Sequence, residues 1–287
     1  MPTTDCLEGA VDLHLHSSPD VDPRRFDDFD LAREAARAGM AAVLIKSHQF
    51  STLERTILVS KIVPEIRVFG GLVLNQTVGG LNPAAVDLAL RMGAKQIWMP
   101  TRWARNHRAA LGQPGGIGIC AEDGSVLPDV LRILDLIAAS ECILGSGHLS
   151  PRETGLLVRQ ARERGVRRIL ITHPEWKATH FPVDSQAELA AGGGVWFERC
   201  FVSTTHRGGF TPMTTIAGAI AEVGVETTIL STDLGQPDTP PPAEGLRLYA
   251  EQLRSFGFTV DQLRAMMAEN PAKLLSLSRE SSTPAPG

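Results

Sequence analysis

The stretch "VDLHLHSSPD", residues 11–20, sets two histidines two positions apart on a short strand. Side chains on a strand alternate between its two faces. Asp12, His14 and His16 therefore share one face, and Val11, Leu13 and Leu15 share the other. The apolar face requires a covering layer. The polar face requires water, or a group that accepts two imidazoles side by side. The run then breaks at Ser-Ser-Pro-Asp, and no G-x-G-x-x-G phosphate loop follows it, which argues against an open dinucleotide-binding sheet.

Outward from this strand, short apolar runs recur at 41–48, 68–75, 96–101, 142–148, 168–174, 196–204 and 227–233. Helix-like segments lie between them. "DDFDLAREAARAGM" starts acidic, "NPAAVDLALRMGA" opens with an Asn cap and Pro, and "SPRETGLLVRQARERGV" carries Ser150 and Glu153 at capping-box spacing. Gly39, Gly93 and Gly165 stop these three helices ahead of the next strand. Strand-helix units in series require parallel pairing, because a parallel neighbour needs a crossover of helix length. Eight such units close a barrel. The expected fold is therefore an α/β (β/α)8 TIM-type barrel in a single domain over residues 1–277. The polar, Pro-rich segment 278–287 is expected to be a disordered tail. The Gly/Pro-rich stretches 111–124 and 235–245 follow strand ends and are expected as rims or lids.

The bulk numbers fit one ordinary globular domain: 287 residues, 43% hydrophobic and 21% charged. A net charge of -4 and an aromatic content of 5% argue against nucleic-acid partners. No apolar run reaches membrane-spanning length, and the N-terminus lacks a signal-peptide pattern. Cys6, Cys120, Cys142 and Cys200 show no CxxC spacing, which reads as reduced cysteine in a cytoplasmic protein. The expected partner is a small-molecule substrate, and a homo-oligomer is compatible with the composition.

The eight histidines cluster by position. His14 and His16 end the first strand, His48 the second, His148 the fifth and His173 the sixth; Asp233 ends the eighth. His107, His180 and His206 fall just after strands four, six and seven. In a parallel barrel these ends meet on the face that carries catalysis. Counting back by twos gives the expected inward sets: His173 with Ile171 and Ile169, Asp233 with Ser231 and Ile229, His48 with Lys46. Leu13, Leu15, Leu170 and Leu230 then face the helices. Any one of these histidines alone reads as a hydrogen-bonded core residue. Imidazoles and a carboxylate converging in one pocket are what a divalent metal requires. Zinc is the first expectation, as one or two ions, with manganese or iron as alternatives.

"DLHLH" on strand one, "GH" after strand five, "THP" after strand six, "STD" after strand eight and "NPA" at 270–272 together resemble the amidohydrolase superfamily of metal-dependent hydrolases. "KSH" and "LNQTVGGLNP" resemble an uncharacterised amidohydrolase-like branch. The resemblance covers about residues 10–277. It implies metal ligation by His14, His16, His148, His173 and Asp233, with Asp233 also taking a proton from the attacking water. One feature departs from the family. Two-metal members carry a bridging carboxylated lysine or glutamate at the end of strand four, where this chain has "WMPT".

Lys46 is the lysine near a strand's C-terminal end. Three roles stay open for it: a carboxylated bridge between metals, an ammonium that pins a carboxylate or oxyanion, or a structural partner of Asp12 or Asp233. The catalytic candidates are thus Asp233, Lys46 and His173. Substrate-facing candidates are His48, Asn75, Arg102, His107, Glu198 and His206. The expected function is metal-dependent hydrolysis of a C–N or C–O bond (amide, cyclic amide or imide, lactone or ester) in a small polar molecule. The alternatives are a metal-dependent decarboxylase or lyase, a Schiff-base barrel using Lys46, and a non-catalytic metal-binding protein.

Overall fold

A computed structural model describes residues 6–277; the expected tail at 278–287 lies outside the described residues. Eight parallel strands run in sequence order: β1 (Val11–Leu15), β2 (Ala42–Ile45), β3 (Arg67–Val73), β4 (Gln96–Trp98), β5 (Ile143–Gly145), β6 (Ile169–Thr172), β7 (Val195–Cys200) and β8 (Thr228–Ser231). The ring closes between β8 and β1. The Asp233 amide donates to the His14 carbonyl at 2.6 Å, and the His16 amide to the Leu234 carbonyl at 2.8 Å. This is a (β/α)8 barrel, with helices between successive strands.

The helix starts follow local chemistry. Asp27 caps Asp28–Arg37, Asn82 caps Pro83–Arg91, and Ser150 with Glu153 closes a reciprocal capping box on Pro151–Glu163. Each cap satisfies amides that the first helical turn leaves unpaired. One apolar cluster fills the barrel interior: Val11, Leu13, Ala42, Leu44, Val73, Trp98, Ile143, Leu170 and Ile229, with Leu274 and Leu275 beneath. Two further clusters lie between strands and helices.

The inward sets hold for β2 and β8 and fail for β1 and β6. Ala42 and Leu44 lie inside and lead to Lys46; Ile229 lies inside while Leu230 faces the helices. In β1 the pairing with β2 slips between Asp12 and Leu15. Val11 and Leu13 lie inside, the bulge sends Leu15 outward, and Asp12 turns to the β8 seam. In β6, Leu170 lies inside while Ile169 and Ile171 face the helices. His173 still reaches the interior end because its backbone is left-handed, with φ 53°. His107 sits on a short helix, Arg105–Ala110, not in the loop expected for it. Of the two expected rim loops, 235–245 lends Gln236 to the cavity described below, and 111–124 lends no residue to it.

Candidate metal centre

The C-terminal ends of the strands converge on a cavity of about 210 Å³. His16, His48, His148, His173 and Asp233 line it, with Arg102 and Arg207 also in its wall. Asp233 is the hub. Its Oδ1 lies 2.9 Å from His16 Nε2 and 3.1 Å from His14 Nε2, and its Oδ2 lies 3.2 Å from His173 Nε2. Asp233, like His173, holds a φ of 53°. That conformation is costly for a residue with a Cβ and concentrates at working sites.

His14 is fixed from behind. Its Nδ1 lies 3.0 Å from Glu198 Oε2, and the other oxygen of Glu198 accepts from Ser231 at 3.1 Å. A carboxylate on one ring nitrogen fixes the tautomer and raises the basicity of the other. That other nitrogen, Nε2, faces Asp233 and also Lys46 Nζ at 2.8 Å. Lys46 is buried and its Nζ lies over the Trp98 ring, 5.6 Å from the centroid.

The electrostatics favour a cation between these groups. Burial alone would raise the Asp233 carboxyl, yet His14, His16 and His173 hold it well below the usual range. Burial likewise opposes charge on His14, but Asp233, with a smaller share from Glu198, raises its pKa to about 9. Burial pushes His16, His48 and His148 well below their ordinary value, so these rings are neutral. Two carboxylates thus draw positive charge into a pocket of neutral imidazoles, which is the donor set of a divalent cation. His14, His16 and Asp233 each offer one ligand atom within 4.8 Å of the others, as do His14, His173 and Cys200. His16 Nδ1 and His148 Nε2 are buried with no hydrogen-bond partner among the described residues, a rare condition that marks a group still to be satisfied. The residues present fit a metal.

The remaining candidates divide. His148 stands farther out, its ring 5.5 Å from that of His173. Its Nδ1 lies 2.9 Å from His107 Nδ1, which leaves Nε2 as the free donor atom. His107 stacks on His148 and lines the cavity. Arg102 is half exposed and pairs with Asp22 at 2.5 Å. Glu198 was expected to face substrate, but the structure places it wholly buried behind His14. Asn75 was expected as an amide donor to substrate, yet both of its amide atoms are engaged with His48, Thr101 and Trp103 backbone or side-chain groups. His206 lies outside the cavity, exposed and paired with Asp238 at 3.0 Å, while the adjacent Arg207 is the residue in the wall. His180 is exposed and outside it as well. Sequence reasoning missed Cys200, Trp176 and Thr101. The alternation that carries Glu198 inward also carries Cys200, so that signal was present; Trp176, packed on His107, His148 and His173, left none.

Solved structures share this barrel. The chain is similar to an amidohydrolase from Pseudomonas aeruginosa, with 11% identity and a TM-score of 0.63 over 94% of this chain and 96% of that one. It is similar to an organophosphorus hydrolase from Deinococcus radiodurans, with 16% identity and a TM-score of 0.60 over 94% of this chain and 93% of that one. A dipeptidase described as a metallopeptidase aligns at 11% identity and a TM-score of 0.63, over 94% of this chain and 98% of that one. At these identities the likeness is one of fold. No curated protein matches the chain. A family model described as a family of unknown function (DUF6282) matches residues 9–198, a span that carries His14, His16, Lys46, His48, His148, His173 and Glu198. The chain belongs to this family, DUF6282.

Proposed function

We propose that the protein is a metal-dependent hydrolase acting on a C–N or C–O bond of a small polar substrate. The observation that carries this reading is the convergence of His14, His16 and Asp233, three potential ligands from opposite ends of the chain, beside His173 and Cys200. His14, His16 and Asp233 would hold the ion, with His173 or Cys200 completing the set; His148 Nε2 would serve a second. Zinc suits this mixture of nitrogen, oxygen and sulfur donors. When bound, a divalent cation supplies Lewis acidity, which polarises a carbonyl and lowers the pKa of water towards 7.

The chain's own residues supply the rest. Asp233 accepts the proton of the attacking water and returns it to the leaving group. Glu198, on the Nδ1 of His14, holds the ring with Nε2 aimed inward, the nitrogen that would bind the ion. Arg102 and Arg207, both in the cavity wall, suit a substrate with a carboxylate or another anionic group. Burial lowers the Lys46 pKa, and the neutral amine so favoured is the form that adds carbon dioxide. A carbamate there would bring a further oxygen ligand from β2 in place of the missing residue at the end of β4. The cavity volume restricts the substrate to a small molecule. The four free cysteines suit a reducing compartment, and the cytoplasm is where we place the enzyme; among the described residues no helix is long and apolar enough to cross a membrane.

The test is metal analysis of the purified protein followed by a panel of amides, lactones and esters in 18O-labelled water. Stoichiometric zinc and label in the product are expected. A metal-free protein refutes the reading. Carbon dioxide release without label incorporation would replace it with the lyase alternative.

A further inference from the structure

His48 is a cavity residue whose tautomer is fixed by its neighbours through Nδ1. The chain of donors starts at Asn75. Its Oδ1 accepts from the Thr101 amide at 2.8 Å and from the Trp103 amide at 3.3 Å. Its Nδ2 therefore faces the His48 carbonyl at 2.9 Å and Thr101 Oγ1 at 2.8 Å. The opposite amide orientation would set Oδ1 against a carbonyl and Nδ2 against two N–H donors, so the assignment is unambiguous. Thr101 Oγ1 thus already accepts one hydrogen bond. Its own hydrogen must go elsewhere, and Thr101 is fully buried. The acceptor within reach among the described residues is His48 Nδ1, at 2.8 Å. If Nδ1 carried the proton, the threonine hydrogen would be buried and unpaired, a cost that folded proteins avoid. Nδ1 accepts, and the ring proton lies on Nε2.

We propose that His48 is a fixed Nε2–H donor to the substrate's carbonyl or acyl oxygen, set in that tautomer by an Asn75–Thr101 relay, and not a metal ligand. The same ring lines the cavity, and its Nε2 has no protein partner among the described residues. It stacks on His16 with ring centroids 4.9 Å apart and stands 6.2 Å from the ring of His148. The donor therefore lies beside the ligand cluster, where a carbonyl oxygen gains charge as water attacks. A protonated Nε2 has no lone pair to give a metal, so in this tautomer His48 does not bind an ion through the nitrogen that faces the cavity. Thr101 and Asn75 are positioning residues that act through His48. The role as substrate donor rests on the hydrolytic reading; the tautomer does not.

The experiment uses zinc-loaded protein with 15N-labelled histidine and long-range 1H–15N correlation spectra, in which the two ring nitrogens of each tautomer are distinguished. The His48 signals are identified by their loss in His48→Gln. The expected result is a proton on Nε2 and a bare Nδ1 in the wild type, with Thr101→Val moving population towards the other tautomer and Thr101→Ser retaining the original one. A proton on Nδ1 in the wild type overturns the proposal without recourse to any variant, as does a Thr101→Val spectrum that matches the wild type. His48→Gln, whose side-chain amide can donate from a similar place, is expected to keep wild-type zinc content; loss of the zinc makes His48 a ligand and also overturns the proposal. In turnover, His48→Ala is expected to lower kcat by about 10²- to 10³-fold with KM little changed, the size of effect seen when one oxyanion donor is removed, and His48→Gln to restore part of it. A wild type that binds no zinc yet shows the Nε2–H tautomer would end the hydrolytic reading and leave the relay standing.

Discussion

Asp233 brings two oxygens to three imidazoles, and Glu198 adds a fourth carboxylate–imidazole contact from behind His14. The two acids therefore separate by role. Glu198 does not line the cavity; it would act on a bound ion through His14. Glu198→Gln keeps the shape and removes the charge, so metal affinity is expected to fall about 10- to 100-fold. Competition against a chromogenic chelator measures this, and an affinity within about twofold of the wild type would detach Glu198 from the site. Asp233 faces the cavity, and the proposed hydrolysis gives it the proton transfer. Asp233→Asn is expected to lower turnover by about 10²- to 10⁴-fold, with a smaller change in thermal stability. Equal losses of turnover and of folded protein would make Asp233 a structural residue.

At the scale of the element, the β1–β8 seam sets where both ligand-bearing ends stop. The Asp12 carboxylate accepts from the His14 amide at 3.0 Å, the Thr232 amide at 3.2 Å and the Thr232 hydroxyl at 2.5 Å. It holds the bulge of β1 and the exit of β8 together, one residue before Asp233. Asp12→Ala leaves those donors buried and unpaired, at about 1–3 kcal/mol each. A loss on the order of 2–5 kcal/mol is expected in urea unfolding of the metal-free protein. A loss under about 1 kcal/mol would mean that the backbone bonds alone hold the seam. The same seam shows what the sequence could express. The eight strands were legible as short apolar runs set between helical patterns, three of which end in a glycine (Gly39, Gly93 and Gly165) just before the next strand. The gathering of His14, His16, His148, His173 and Asp233 at strand ends was legible for the same reason. Which face each side chain takes was not, wherever the backbone departs from strict alternation. Leu13 and Leu170 lie inside, and the polar ends of their strands still reach the cavity because β1 carries a bulge and because His173 holds a left-handed backbone at the end of β6. Neither irregularity has a local residue signature. Asn75 reads in sequence as a free amide at a strand end, and only the packed loop at Thr101 turns it into the start of a relay.

Across the whole molecule the two ends of the barrel divide stability from chemistry. The C-terminal segment closes the end opposite the cavity. Asn270 donates to the carbonyls of Val225 and Thr228, each at 2.8 Å, and Thr228 is the first residue of β8. Leu274 and Leu275 then enter the interior cluster beside Val11, Leu13 and Ala42. Above them Trp98 separates this floor from His14 and Lys46, with its ring 6.3 Å from the His14 ring. Leu274 is 1% exposed, so Leu274→Ala opens a cavity in a closed floor and is expected to cost about 2–5 kcal/mol. The ligands stand on the far side of Trp98, and their positions are set by the strand ends and by the Asp12 seam. Zinc bound per folded molecule is therefore expected to match the wild type while the unfolding midpoint falls. Denaturant titration and metal analysis on the same preparation check both halves. A folded Leu274→Ala protein that has lost its zinc would show that the floor reaches the centre through Trp98, and the division of the barrel into a stabilising end and a reactive end would fail.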